Sequence, residues 1–179
     1  MDRIDRNLVL IFGVTLIAIM GVTSISPAFP KMAKELEVSP ERITMLITVF
    51  TLPGILFTPV LGIVADRFGR KIVLIPSLFL FGISGGMCFF IRDFNLLLFL
   101  RFFQGVGASS LGSLNVTLIS DMYKGRTLSS AMGYNASVLS IGTALYPAIG
   151  GALAVFGWYF PFLLPFSAIP LAIVIALWL

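Results

Sequence analysis

The sequence predicts an all-α integral membrane protein with six transmembrane helices, and three observations carry that prediction. Hydrophobic residues make up 58% of the 179-residue chain and charged residues 11%, with a mean hydropathy of +1.04. A soluble domain of this size leaves too much of its surface exposed to hide that much apolar area. The apolar residues fall in runs of about 20, the length that crosses a bilayer core as a helix. The charges gather in the short stretches between those runs, as expected when insertion costs roughly 2.5–3.5 kcal/mol for each charge at a helix centre.

By that rule the spans lie at about 7–29, 42–64, 72–91, 96–120, 129–155 and 160–179 of a single domain, 1–179. The connections are short, so consecutive helices run antiparallel and pack side by side. The N-terminal run from Leu8 to about Phe29 is too long for a signal-peptide core and ends in Pro27 and Pro30 rather than a small-residue cleavage site, so it reads as a retained first span. With the N-terminus inside, the cytoplasmic side collects Arg3, Arg6, Arg67, Arg70, Lys71, Lys124 and Arg126. The outer side then holds Lys31, Lys34, Arg42 and Arg92, three of them beside Glu35, Glu37 and Glu41, a distribution that fits the positive-inside rule.

The net charge of +4 is scattered over loops, which sets topology and provides no nucleic-acid surface. The absence of histidine removes histidine metal sites, serine–histidine catalysis and a histidine relay. No nucleophile, metal or cofactor cluster points to an enzyme. Cys88, alone, reads as a small buried hydrophobe.

The first span carries Gly13, Thr15, Gly21, Thr23, Ser24 and Ser26, small and hydroxylated residues suited to close helix packing or to lining a cavity. Ser39-Pro40-Glu41 is a helix start with a capping hydroxyl, proline at the first position and an acid near the positive helix end. Pro53 and Pro59 predict bends in the second span. The third span has only Gly82, Gly85 and Gly86 to mark it and reads as lipid-facing support.

The fourth span holds the only basic residue well inside a run, Arg101, about six residues or ~9 Å from the outer end. At helical spacing Arg101, Gln104, Gly105, Ala108, Gly112 and Asn115 share one face. Arg101 alone is able to snorkel to the headgroups, but Gln104 and Asn115 gain nothing from that, so the stripe is expected to face a functional cavity. The fifth span places Gly133, Gly142, Pro147, Gly150 and Gly151 where a partner helix can come close. The sixth contains Pro161, Pro165 and Pro170 and ends without a basic anchor, so the chain is expected to be cut near the end of that span. Met20, Phe50, Phe57 and Met132 are candidate pocket residues, although residues of these types more often face lipid or pack.

Three stretches, read in series, resemble the major facilitator superfamily. Gly62-x-x-x-Asp66-Arg67-x-Gly69-Arg70-Lys71 is similar to its loop 2–3 signature, Arg101-x-x-Gln104-Gly105-x-Gly107-Ala108 to its fourth-helix motif, and Gly133 through Gly142 to Pro147-x-x-Gly150-Gly151 to its fifth-helix antiporter motif. Tyr146 departs from that last pattern, standing where the family usually has glycine.

The resemblance implies the N-terminal six-helix bundle of a major facilitator fold, most similar to the drug:proton antiporter group. It implies small-molecule transport by alternating access between two such halves, and the antiporter motif narrows this to proton-coupled efflux of the multidrug type. The partners it implies are a lipid bilayer (the plasma, or inner, membrane), a lipophilic small-molecule substrate, protons as coupling ion and a second six-helix half, in the same longer chain or in another subunit. It implies no cofactor and no metal. It makes Asp66 a conformational latch that pairs with Arg70 or meets a helix end of the other half. An uptake symporter of the same superfamily, or a non-transporting membrane partner, is the alternative.

Overall fold

The computed structural model describes residues 5–178. Every segment long and apolar enough to cross a membrane among them is helical, and there are six. The first is helix α1 (Arg6–Thr23), a 3-10 turn at Ser26–Ala28, and α2 (Phe29–Glu35). Then come α3 (Pro40–Phe68), α4 (Arg70–Met87), α5 (Phe94–Met122) and α6 (Gly125–Phe156). The sixth pairs a 3-10 stretch, Phe160–Ser167, with α7 (Ala168–Trp178). Arg3 and Leu179, which the sequence places at the cytoplasmic end, lie outside the described residues.

The helices overrun the expected spans, because the flanking polar residues form their caps and first and last turns. The Asp5 carboxylate accepts from the Leu8 N–H at 2.9 Å, Asp93 from Leu96 at 2.8 Å and Ser39 from Arg42 at 3.4 Å, each supplying a donor of the first turn with an acceptor. Gly69, at φ 105°, is the single residue between α3 and α4 and caps both, a conformation that a side chain would resist. Pro27 and Pro30 do not end the first span. They stand at or near the first positions of short helical turns, where a missing N–H costs nothing, so the helical run bends and continues to Glu35. In the sixth span Pro161 and Pro165 deny the backbone regular i→i−4 bonds, and eight residues settle into 3-10 geometry instead.

Helix α5 is the hub. It packs on α3, α4 and α1, and α6 lies on the far side of α1, so α3, α5, α1 and α6 form a row. Helices α4 and α7 pack behind that row, against each other and against α5 and α1. One buried cluster, including Ile11, Val14, Leu74, Phe81, Leu111, Ile119 and Ala172, joins the helices of the Gly69 end; a second, with Ile25, Met32, Leu46, Cys88, Leu97, Trp158 and Phe162, joins those of the Asp93 end. The outer helices of the row, α3 and α6, keep broad apolar faces exposed, Ile55 and Val155 each at 75%. In lipid such faces carry no hydrophobic penalty.

The third span is more than lipid-facing support. Helix α4 is half buried, and a methyl group on Gly85 or Gly86 would stand 2.2 Å from the Gln104 amide or 2.4 Å from the Phe166 ring. Its glycines admit the side chains of α5 and of the 3-10 stretch.

Candidate functional site

Arg101 is fully buried. It enters the bundle about two turns from the start of α5 and turns inward: Nη2 donates to the Gly21 carbonyl of α1 at 2.7 Å, Nε to the Leu46 carbonyl of α3 at 3.3 Å, and Nη1 to Gln104 Oε1 at 2.6 Å. The guanidinium lies 4.3 Å over the Phe50 ring, a cation–π contact strengthened by desolvation. One planar donor fork thus ties α1, α3 and α5 together. No snorkelling occurs, and no carboxylate among the described residues pairs with it; its neutralising partners are carbonyl dipoles and an aromatic face.

The glycines after Arg101 set its depth. A Cβ on Gly105 would stand 2.1 Å from the Phe50 carbonyl oxygen, and one on Gly107 2.6 Å from the Phe81 backbone nitrogen. The two glycines therefore seat α5 against α3 on one side and α4 on the other, which holds Phe50 under the guanidinium. Gln104 is buried with its Nε2 unpartnered among the described residues, directed at Gly85.

Asn115 belongs to a second polar node, toward the Gly69 end. Its Nδ2 donates to Thr15 of α1, whose hydroxyl donates to Asn135 Oδ1 of α6 at 2.5 Å. All three are buried, and Asn115 Oδ1 has no partner among the described residues. Asn135 did not stand out in the sequence, although it is the only asparagine or glutamine in the fifth span; that rarity was its signal.

Between the two nodes the row is hollow. A cavity of about 380 Å³ opens on the face away from α4 and α7, lined by Ala18 of α1, by Phe50, Thr51, Gly54 and Thr58 of α3, and by Gly105, Ala108, Ser109, Gly112 and Ser113 of α5. The stripe on α5 is thus divided. Its small members, Gly105, Ala108 and Gly112, line the cavity, whereas Arg101, Gln104 and Asn115 are turned into helix packing. Of the candidate pocket residues only Phe50 lines it; Met20 is buried in the core, and Phe57 and Met132 are half-buried.

At the Gly69 end, Arg70 bridges two acids, bonding Asp66 one turn back and, through Nε at 3.2 Å, Asp121 at the end of α5. Both carboxylates are more than half exposed. Asp121, fourteen residues beyond Gly107, the last glycine of the fourth-helix motif, is brought here by the length of α5. Arg67 and Lys71 have no carboxylate within salt-bridge distance among the described residues. Nearby, the Tyr123 hydroxyl donates to Asp5 Oδ1 at 2.6 Å, clasping the start of α1 to the α5–α6 turn. Burial, and then the hydrogen bond and the charge of Asp5, push the phenol's pKa up, which keeps it a donor at neutral pH.

On α6, a Cβ on Gly150 would lie 1.8 Å from the Ser24 carbonyl oxygen and one on Gly142 2.9 Å from Leu16, so these two glycines receive α1. Gly151 has ordinary room beside Pro27, and Gly133 has no neighbour within 4 Å. Pro147 lies inside the helix without ending it. Tyr146 does not spoil the approach: its ring is half-buried against the core, 3.5 Å from the position a Gly142 Cβ would take.

Six helices long and apolar enough to cross a membrane, with a hydroxyl-lined cavity among α1, α3 and α5, define a polytopic α-helical membrane protein. The chain belongs to the Major Facilitator Superfamily, whose family model matches residues 11–179. It is similar to the bacillibactin exporter of Bacillus subtilis, at 29% identity over 164 residues that cover 88% of this chain and 41% of the relative. Multidrug resistance protein 1 of the same organism matches at 27% over 154 residues, 86% of this chain and 40% of the relative. Quinolone resistance protein NorA of Staphylococcus aureus matches at 28% over 154 residues, 86% and 39%. The chain spans about two fifths of the length of these curated relatives. Six apolar helices and membership of this superfamily make it a multi-pass plasma-membrane protein.

Proposed function

We propose that this chain forms one half of a small-molecule exporter that works by alternating access and is driven by protons. The observation that carries the reading is the cavity: it lies within the membrane span and opens on the row α3–α5–α1–α6, the face not covered by α4 and α7. A second six-helix body set against that row closes the cavity into a binding chamber between two halves. The glycines Gly54, Gly112 and Gly133, each with no neighbour within 4 Å, leave room for its approach. The relatives' names, an exporter and two drug-resistance proteins, support the direction.

In this reading the two polar nodes position helices and do not carry the substrate. Arg101 with Gln104, and Thr15 with Asn115 and Asn135, fix α5 against its neighbours on either side of the cavity. The antiporter-motif glycines Gly142 and Gly150 keep α6 and α1 moving as one body. The loop residues Gly62, Asp66, Arg67, Gly69, Arg70 and Lys71 form the latch, with Asp121 as a further acid on Arg70. The Gly69 end, carrying Arg6, Arg67, Arg70, Lys71, Lys124 and Arg126, faces the cytoplasm.

The test uses the full-length transporter in proteoliposomes, loaded with lipophilic dyes and given an imposed proton gradient. Dye movement against its own gradient that collapses with a protonophore is the expected result. Movement indifferent to the proton gradient, or uptake in the direction of proton entry, overturns the coupling and the direction respectively. Orientation is read separately: single cysteines at Ser26 and Lys124 should label with an impermeant maleimide from outside only and inside only.

A further inference from the structure

The hydroxyls of the cavity wall share a property that composition does not reveal. Thr51 donates to the carbonyls of Ile47 and Thr48 at 3.0 and 3.1 Å, Thr58 to Ser109 at 2.7 Å, Ser109 to Val106 at 2.6 Å, and Ser113 to Ser110 at 3.2 Å. A carbonyl only accepts, so in every case the hydroxyl hydrogen is the one committed. The other lining residues, Ala18, Phe50, Gly54, Gly105, Ala108 and Gly112, have no polar side-chain atom, and their backbone N–H groups lie within helices. What the wall has left to offer is lone pairs.

A formal charge stands behind one wall residue, Phe50. Arg101 lies over Phe50 with three of its five N–H donors given to Gly21, Leu46 and Gln104. It is fully buried and does not line the cavity, so it presents no donor to an anion there, and its positive charge disfavours a cation placed against the same ring.

We infer that the wall this chain contributes selects uncharged substrates that present O–H or N–H donors, since it accepts hydrogen bonds at four hydroxyl oxygens and donates none. The inference rests on the cavity being the transporter's substrate chamber and adds the chemical class of what enters it. A donor-bearing apolar molecule exchanges its bonds to water for bonds to Thr51, Thr58, Ser109 or Ser113; a methylated counterpart of the same shape leaves the same lone pairs unpaired. One net hydrogen bond changes affinity about twofold to tenfold.

The experiment measures binding to the full-length transporter in nanodiscs, corrected against empty nanodiscs, for three uncomplicated probes: 4-(2-naphthyl)butan-1-ol, its methyl ether, and the matching trimethylammonium cation. The alcohol should bind about threefold to tenfold more tightly than the ether. The quadruple variant Thr51→Val, Thr58→Val, Ser109→Ala and Ser113→Ala should bring that ratio close to one, because it removes the hydroxyl at all four wall positions. Equal binding of alcohol and ether in the unaltered protein, or a ratio that survives the quadruple variant, overturns the inference. So does tighter binding of the cation than of the alcohol. A protein that keeps the alcohol preference but moves none of the probes across the bilayer would overturn the transport reading and leave the selectivity of the cavity standing.

Discussion

Arg101 shows how much a single side chain can be asked to do in a membrane. An unpaired charge in hydrocarbon is costly, and the bundle meets that cost with two carbonyls, an amide oxygen and an aromatic face rather than a carboxylate. Lysine keeps the charge but cannot span Gly21 and Leu46 with a planar fork. Arg101→Lys should therefore destabilise the folded transporter by about 2 kcal/mol, the worth of one charge-assisted bond, as read by unfolding in mixed detergent. A side chain that merely reached for the headgroups would tolerate the exchange. The sequence marked Arg101, Gln104 and Asn115 as exceptional because polar groups are rare in apolar runs. It could not tell that they point into helix packing, since both a packed face and a cavity face lie on the same side of α5 as judged by periodicity.

At the scale of elements, glycine decides which helices touch. Gly150 and Gly133 belong to one motif on α6 and look alike in the sequence, yet only Gly150 meets another backbone. Gly150→Ala forces α6 away from Ser24 and should cost about 1–3 kcal/mol, the range for overpacking a close contact. Gly133→Ala should stay within about 0.5 kcal/mol of the parent, as surface substitutions do. Paired thermal-unfolding curves of the two variants check the contrast, and equal losses would count against the α1–α6 contact described above. The bend at Pro27 and the 3-10 stretch at Phe160–Ser167 belong to this scale too. Proline announces an interruption, but whether a helix stops, bends or tightens depends on where its free carbonyls find neighbours.

For the whole molecule, the ends of the bundle carry different machinery. The Asp93 end is fastened by static contacts: Lys31 donates to the carbonyls of Ala154 and Val155 at 3.2 Å, capping the end of α6, and Arg92 lies 3.8 Å over Tyr159. The Gly69 end carries an exposed network, Asp66–Arg70–Asp121, of the kind worth at most about 1 kcal/mol to stability. A network of that strength is compatible with the latch proposed for this end, because breaking it costs little. Asp66→Asn in the full-length transporter should leave the melting temperature nearly unchanged while shifting the balance of inward- and outward-open states. Spin-label distances across both ends measure that balance, and populations identical to the parent's would remove the latch.

The sequence by itself determined the class: length and apolarity of the runs require six helices, and three motifs in series identify the superfamily, because insertion energetics and backbone approach act on residue types at fixed spacing. Tertiary structure alone decided the pairing. That Asn115 reaches Asn135 through Thr15, that Arg70 reaches Asp121, and that four hydroxyls turn their lone pairs to a common cavity all depend on residues from helices distant in the chain coming within hydrogen-bond range. Periodicity assigns a residue to a face of its own helix; which helix stands opposite that face is set by the packing of the whole bundle.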